Sequence, residues 1–212
     1  PAAPAAQAGL QTAGSSSSKV ASIHDALGVK EHNLESHLVY DDHRRSAFLD
    51  YGLQSLPSLE EVVRSTWGER RLWSPGPYQL ERAVSGTGGK KAATVTMTRR
   101  VSDWRMRKTV AAAAARPTVT CRYELEGPDV PVVALEFNLS LRDERWMTAA
   151  KQHLQVGQFD VVEPAADVRV RLAVEPAATI FSFPIETVSE SEGGLERTFQ
   201  GICLLLLWTL GG

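Results

Sequence analysis

Four carboxylates, Glu186, Glu190, Glu192 and Glu196, fall within eleven residues in the segment FPIETVSESEGGLERTFQG. Two carboxylates held about 5–9 Å apart can act on a glycosidic bond, one as acid and the other as nucleophile or base. Sequence spacing does not set that distance. The plainer reading pairs some of them with Arg44, Arg45 or Arg197 and leaves the others in solvent, with ligand binding by Glu186, Glu190 and Glu192 still open. Sugars are held by aromatic faces beneath the ring and planar polar side chains on the hydroxyls. Trp67, Trp73, Tyr78, Trp104 and Trp146 are read as lying in loops or at strand ends, which makes Trp73, Tyr78 and Trp146 candidate platforms. Glu136 and Asn138, read as outward-facing on a strand, are candidate hydroxyl partners. The competing reading has the tryptophans plugging sheet edges and Glu136 paired with an arginine.

Other chemistries find little support. The histidines are His24, His32, His37, His43 and His153, and none shows the HxH or HExxH spacing that puts two imidazoles on one metal, so no metal site is expected. There is no G-x-S-x-G elbow and no Cys–His signature. The glycines at 86, 88 and 89 lack the strand–loop–helix context of a phosphate loop and read as a hairpin turn, so no cofactor is expected. Arg99, Arg100, Arg105, Arg107 and Lys108, with Trp104 among them, read as a strand pair whose alternate residues face water rather than as a nucleic-acid surface. Asn138-Leu139-Ser140 matches a glycosylation sequon but falls within a strand pattern.

Composition narrows the classes further. In 212 residues, 23 Lys+Arg stand against 25 Asp+Glu, a formal charge of −2. A near-neutral chain has no global field for gathering polyanions, which argues against nucleic acid or an anionic membrane as partner. Apolar residues at 43% and charged residues at 23% are ordinary globular composition. The longest apolar run, Ile202 to Trp208, is far shorter than the ~20 residues of a spanning helix. Cys121 and Cys203 lie in apolar strand-like runs and read as free core thiols of a reducing, cytoplasmic compartment. The chain opens at Pro1 rather than methionine, and is expected to be a piece of something longer or an expression product.

The elements that must position these residues are strands. Residues 1–19, Ala/Pro/Gln followed by serines, read as a disordered linker or expression remnant, and residues 20–212 as one domain. Period-two alternation runs through Thr94–Thr98, Val119–Leu125, Val133–Leu141 and Val168–Val174, each read as burying one face and wetting the other. Gly/Pro/Asp clusters separate them. Ser58 with Glu61 three residues on, then Val62 and Val63, is a capping-box signature for one short helix. Arg142 to Gln152 reads as a helical turn or a long connection. The expected fold is all-β, a twisted antiparallel β-sandwich of ten or more strands.

Five blocks in order, HLVYDDHRRSAFLDYGL, SLEEVVRSTWGE, GPYQLE, ALEFNLSL and FPIETVSESEGGLERTFQG, resemble the C-terminal β-domain of glycoside hydrolase family 57 enzymes of the 4-α-glucanotransferase and α-amylase type. The resemblance covers about Ile23 to Trp208. Departures fall at Ala47-Phe48, Tyr51-Gly52, the alanine-rich stretch Val110 to Ala115, and Leu195. It implies a galactose-mutarotase-like supersandwich packed against a catalytic (β/α) barrel of the same natural polypeptide, which supplies the reacting carboxylates. No catalytic residue of that barrel is matched here. The function implied is a non-catalytic domain of an α-1,4-glucan-processing enzyme, buttressing the barrel and contacting α-glucan. Two alternatives from other classes are a free-standing α-glucan-binding module and a mutarotase-like epimerase.

Overall fold

The computed structural model describes residues 41–85, 92–113, 116–191 and 194–210. The expected linker at 1–19, the onset of order near Val20, the first three histidines, the turn at Gly86–Gly89 and Glu192 lie outside them. Ten strands are described, all paired antiparallel, with one α-helix. Strands β1 (Ala47–Leu53), β2 (Arg71–Trp73), β7 (Val132–Ser140), β8 (Lys151–Glu163), β9 (Val168–Ser191) and β10 (Gly194–Thr209) form a six-stranded sheet in the order β2-β1-β7-β10-β9-β8. Strands β3 (Gln79–Ser85), β4 (Ala92–Val101), β5 (Trp104–Ala113) and β6 (Thr118–Glu126) form a four-stranded meander. The all-β sandwich expected from the alternation is the fold observed.

Helix α1 (Leu59–Val63) starts where the capping box requires. The Glu61 amide donates to Ser58 Oγ at 3.2 Å, and the Ser58 amide donates back to Glu61 Oε2 at 2.7 Å. Two otherwise orphaned amides are thereby satisfied, and Val62 is turned into the core. The Arg142–Gln152 stretch contains a single 3₁₀ turn, Glu144–Trp146, before β8 begins.

The six-stranded sheet is covered on both faces, and this overturns the one-face-wet reading of its central strands. On one face Tyr51, Leu53, Ala134, Phe181, Phe183, Cys203, Leu205 and Leu207 pack with Val62 and Trp67. On the other, Ile180, Ile202, Leu204 and Leu206 pack under Val161. The continuous apolar run of β10 thus has a physical reason: a central strand with no wet side has no need of alternation.

The second cover comes from the β8–β9 hairpin. Lys151–His153 pairs with Ile180–Ser182, the register then breaks, and Gln158–Glu163 pairs with Val168–Ala173. The far end bends back over the sheet, bringing Val161 against Ile180 and Leu204. Buried Glu163 pins it there, accepting the Arg142 and Asp143 amides at 2.7 and 3.0 Å. The four-stranded sheet packs on the same side around β1. Trp73, Met106 and Val130 form a buried cluster there, with Leu125 and Val133 packed against it. Gly52 lies beneath the Trp73 ring, where a Cβ would overlap the indole. The far rung of this sheet, Ser85, Ala93, Ala112 and Val119, is exposed, so Val119 is not in the core as its alternation implied.

Candidate functional site

Strand β1 carries a polar network on each of its faces. On the first, β7 supplies Glu136, 2% exposed, and β1 supplies Tyr51 from the neighbouring register position. The stretch Asp41–Ser46 lies across them. His43 Nε2 is 3.0 Å from Glu136 Oε2, and its Nδ1 is 2.7 Å from Asp42 Oδ1. Tyr51 donates its hydroxyl to Glu136 Oε2 at 2.7 Å, and Asn138 Nδ2 donates to Glu136 Oε1 at 2.6 Å and to the Ser46 carbonyl at 2.7 Å. Arg45 approaches Glu136 Oε1 at 3.6 Å while holding Asp41 at 2.6 Å. Arg71 pairs with Asp42 and stacks on the Trp67 ring at 4.3 Å.

The electrostatics follow from this geometry. Burial pushes the Glu136 carboxyl up, but hydrogen bonds from His43, Asn138 and Tyr51 outweigh it and hold the group below its usual range. The bond to Glu136 raises His43 above its ordinary value against the opposing effect of burial, with Asp42 adding to the rise. Burial and Glu136 push the Tyr51 phenol far up, so it stays a donor. A histidine between two carboxylates has the parts of a proton relay. Glu136, however, is sealed beneath Tyr51 and the 41–46 stretch, beyond reach of a substrate. The expectation of an outward-facing Glu136 is therefore corrected: both faces of β7 are covered, and Val132, Ala134 and Glu136 on its even positions are buried.

A pH dependence follows. His43 has a folded pKa raised above the unfolded value of about 6.5, so its contribution is complete below that value and is lost as pH climbs through the folded one. Glu136 contributes above its unfolded 4.5 and loses that contribution as pH falls through its lowered folded value. Urea unfolding stepped between about pH 5.5 and 9 is expected to show a midpoint that declines on the alkaline side, with the decline reduced in His43→Gln. Identical profiles for the two proteins would remove His43 from the charge balance.

The second network joins the two sheets. Lys108 Nζ donates to the Phe48 carbonyl at 2.6 Å and lies 3.9 Å from Asp50 Oδ1. It is ringed by Tyr123, Tyr78 and Phe48 at 5.1, 5.3 and 5.8 Å. Arg99 Nη1 is 3.7 Å from Asp50 Oδ2, and Arg99 Nη2 donates to the Ser74 carbonyl at 2.8 Å. Burial raises the Asp50 carboxyl and lowers the Lys108 ammonium, so both are drawn toward neutrality. Phe48, at φ +63°, turns its carbonyl to this lysine and to the Tyr123 hydroxyl at 3.2 Å.

The other sequence-nominated residues are spread apart. Trp73, 4% exposed, packs 5.1 Å from Trp104 in the seam between the sheets, and Tyr78 belongs to the lysine's ring of aromatics. Trp146 donates its indole N–H to the Val162 carbonyl at 3.0 Å and fastens the folded-back hairpin. Trp67 is 3% exposed and tilts against Tyr51. Trp67 and Trp73 are buried, whereas Tyr78 and Trp146 are half-buried. Glu186 lies on β9 with Arg197 of β10 at 3.5 Å, the pairing that the plainer reading named. Glu190 is on the same strand, opposite Leu195. Sequence reasoning missed His43, Asp50 and Lys108. The last was legible in principle, since it shares a β5 face with buried Met106 two positions away.

Among the described residues no group of three or more His, Cys, Asp or Glu side chains could hold a metal ion, and no helix is long and apolar enough to cross a membrane. Both cysteines are free, Cys203 buried and Cys121 half-buried.

What the fold and these networks define is an all-β sandwich domain with a polar interior knitted around one strand. The chain belongs to the family described as Alpha-amylase/4-alpha-glucanotransferase, C-terminal, whose model matches residues 5–211. This bears out the resemblance read from the five blocks. Among curated relatives, the 4-alpha-glucanotransferase of Thermococcus litoralis is 23% identical over 90% of this chain and 28% of its own length. Alpha-amylase 1 of Dictyoglomus thermophilum is 22% identical over 87% of this chain and 28% of its own length. The chain thus spans little more than a quarter of the relatives it matches. The crystal structure of the Thermococcus litoralis 4-alpha-glucanotransferase shares the fold, with a TM-score of 0.56 at 19% identity over 88% of this chain and 29% of that one.

Proposed function

We propose that this chain, as one domain over residues 20–212, is a non-catalytic part of an enzyme acting on α-1,4-glucans, a 4-α-glucanotransferase or α-amylase. It packs against a catalytic barrel of the same natural polypeptide. The observation that carries this is the family match over residues 5–211, by a chain spanning 28% of relatives named for those two activities. The sealed state of Glu136 and the engagement of Glu186 with Arg197 support it, since neither is laid out as an open catalytic pair. We assign the glucan contact to β9, which carries Glu186 and Glu190; Glu192, the third carboxylate nominated by the sequence, lies outside the described residues. Two free thiols fit a cytoplasmic setting.

The test is to incubate the purified chain with maltoheptaose and follow chain lengths by chromatography. No redistribution or hydrolysis is expected from this chain, while the polypeptide that also carries the barrel is active and loses thermal stability when this domain is deleted. Turnover by the isolated chain, or a barrel indifferent to the deletion, would overturn the proposal.

A further inference from the structure

The basic stretch of β4 and β5 is only partly accounted for by the networks above. Arg99 and Lys108 turn inward to Asp50, whereas Arg100, Arg105 and Arg107 stand exposed on the opposite face. In the register Arg100 is directly opposite Arg105, one position from the two-residue turn at Ser102-Asp103. Like charges facing each other on neighbouring strands repel, so this rung works against the sheet that carries it. Elsewhere on the same face the signs alternate. Arg107 lies 3.2 Å from Glu81 and 3.6 Å from Glu124, and Arg122 lies 3.1 Å from Glu124. At the Arg100–Arg105 rung that balance fails. Arg105 meets Glu126 at 3.6 Å, with the side chains 45% and 72% exposed, and among the described residues no carboxylate lies within ion-pair distance of Arg100.

The two guanidiniums border an open cleft of about 490 Å³ whose remaining walls are Pro77, Gln79, Thr98, Val101 and part of Arg99. No carboxylate lines it. Trp104 packs instead against Trp73 in the seam between the sheets, so no indole is offered to a flat base.

The geometry points to an oxyanion site at this rung, one that takes the phosphate monoester of a phosphorylated sugar. Guanidinium forks match phosphate oxygens in pairs, and a doubly charged phosphate removes the repulsion that the rung otherwise carries. Gln79 and Thr98, on one rung of the same face, supply neutral partners for sugar hydroxyls. The phosphate part stands on register and charge; the sugar part rests on the glucan role proposed above.

Isothermal titration of the 212-residue protein at low ionic strength, with glucose 6-phosphate, inorganic phosphate and maltose as separate probes, tests it. Glucose 6-phosphate is expected to bind more tightly than inorganic phosphate, to weaken with salt, and to lose affinity about tenfold in Arg100→Gln or Arg105→Gln. Arg100→Lys keeps the charge without the fork and should fall between. The substituted residues face solvent and either glutamine relieves the repulsion, so melting temperatures equal to or slightly above the parent's serve as the folding control. Absence of binding by either phosphate, or affinity unaltered in both glutamine variants, overturns the site. Equal affinity for inorganic phosphate and the sugar phosphate overturns the sugar part, and maltose binding as tightly as glucose 6-phosphate overturns the phosphate part. Maltoheptaose turnover by this chain would sink the proposed function without touching this titration.

Discussion

Replacing Glu136 with alanine should cost about 3–5 kcal/mol of folding stability, the range for removing one partner of a buried charged pair. The carboxylate is 2% exposed and takes hydrogen bonds from Tyr51 and Asn138, with His43 at 3.0 Å and Arg45 near its other oxygen. Alanine leaves a phenol, an amide and two cationic groups facing a void, and buried donors without acceptors carry their full desolvation cost. For a domain of this size that corresponds to a melting temperature lower by on the order of 10 °C. Glu136→Gln keeps the shape and part of the hydrogen bonding while losing the charge, so it should fall between. Thermal melts of the three proteins at about pH 6, where His43 is charged, are the measurement. An alanine variant within a degree of the parent would mean that the 41–46 stretch does not depend on this anchor.

Gly201→Ala is expected to be comparably damaging, on the order of 3–5 kcal/mol, through backbone geometry rather than charge. Gly201 has φ +147°, a conformation that L side chains rarely adopt. It sits where the pairing of β10 with β9 slips by one residue, between Phe199 opposite Glu186 and Gly201 opposite Ile185, a bulge in a central strand. A Cβ there would overlap the Leu139 carbonyl oxygen of β7, and backbone on a central strand cannot swing aside as a flexible side chain would. Gly68→Ala is the control, because a Cβ there meets nothing within 4 Å. Urea unfolding should put Gly68→Ala beside the parent and Gly201→Ala far below it. A Gly201→Ala midpoint matching the control would show that β10 can slide past β7 without loss.

Much of the architecture was legible along the chain because its causes are local. Period-two patterning marked the strands, and Ser58 with Glu61 marked the helix start through hydrogen bonds only three residues apart. The order of five sequence blocks identified the family that the model of residues 5–211 then matched. Reading β7 as wet on one side failed for a non-local reason. Alternation reports which residues share a face, but not whether a second layer covers the other one, and here α1, Trp67 and the 41–46 stretch do.

The same limit governed the candidate site. Residue type alone left Trp73, Tyr78 and Trp146 open as sugar platforms or as packing; only the meeting of β2, β5 and the folded-back hairpin places Trp73 in the seam and fastens Trp146 to the Val162 carbonyl. His43 and Glu136 lie 93 residues apart, and Lys108 and Phe48 lie 60 apart. No spacing rule joins such partners, because the register of antiparallel strands, rather than distance along the chain, sets them face to face. The sequence by itself determined that strands form, which residues share their faces and which family they belong to. The tertiary structure alone decided which faces are sealed, since burial is a property of whatever packs on top.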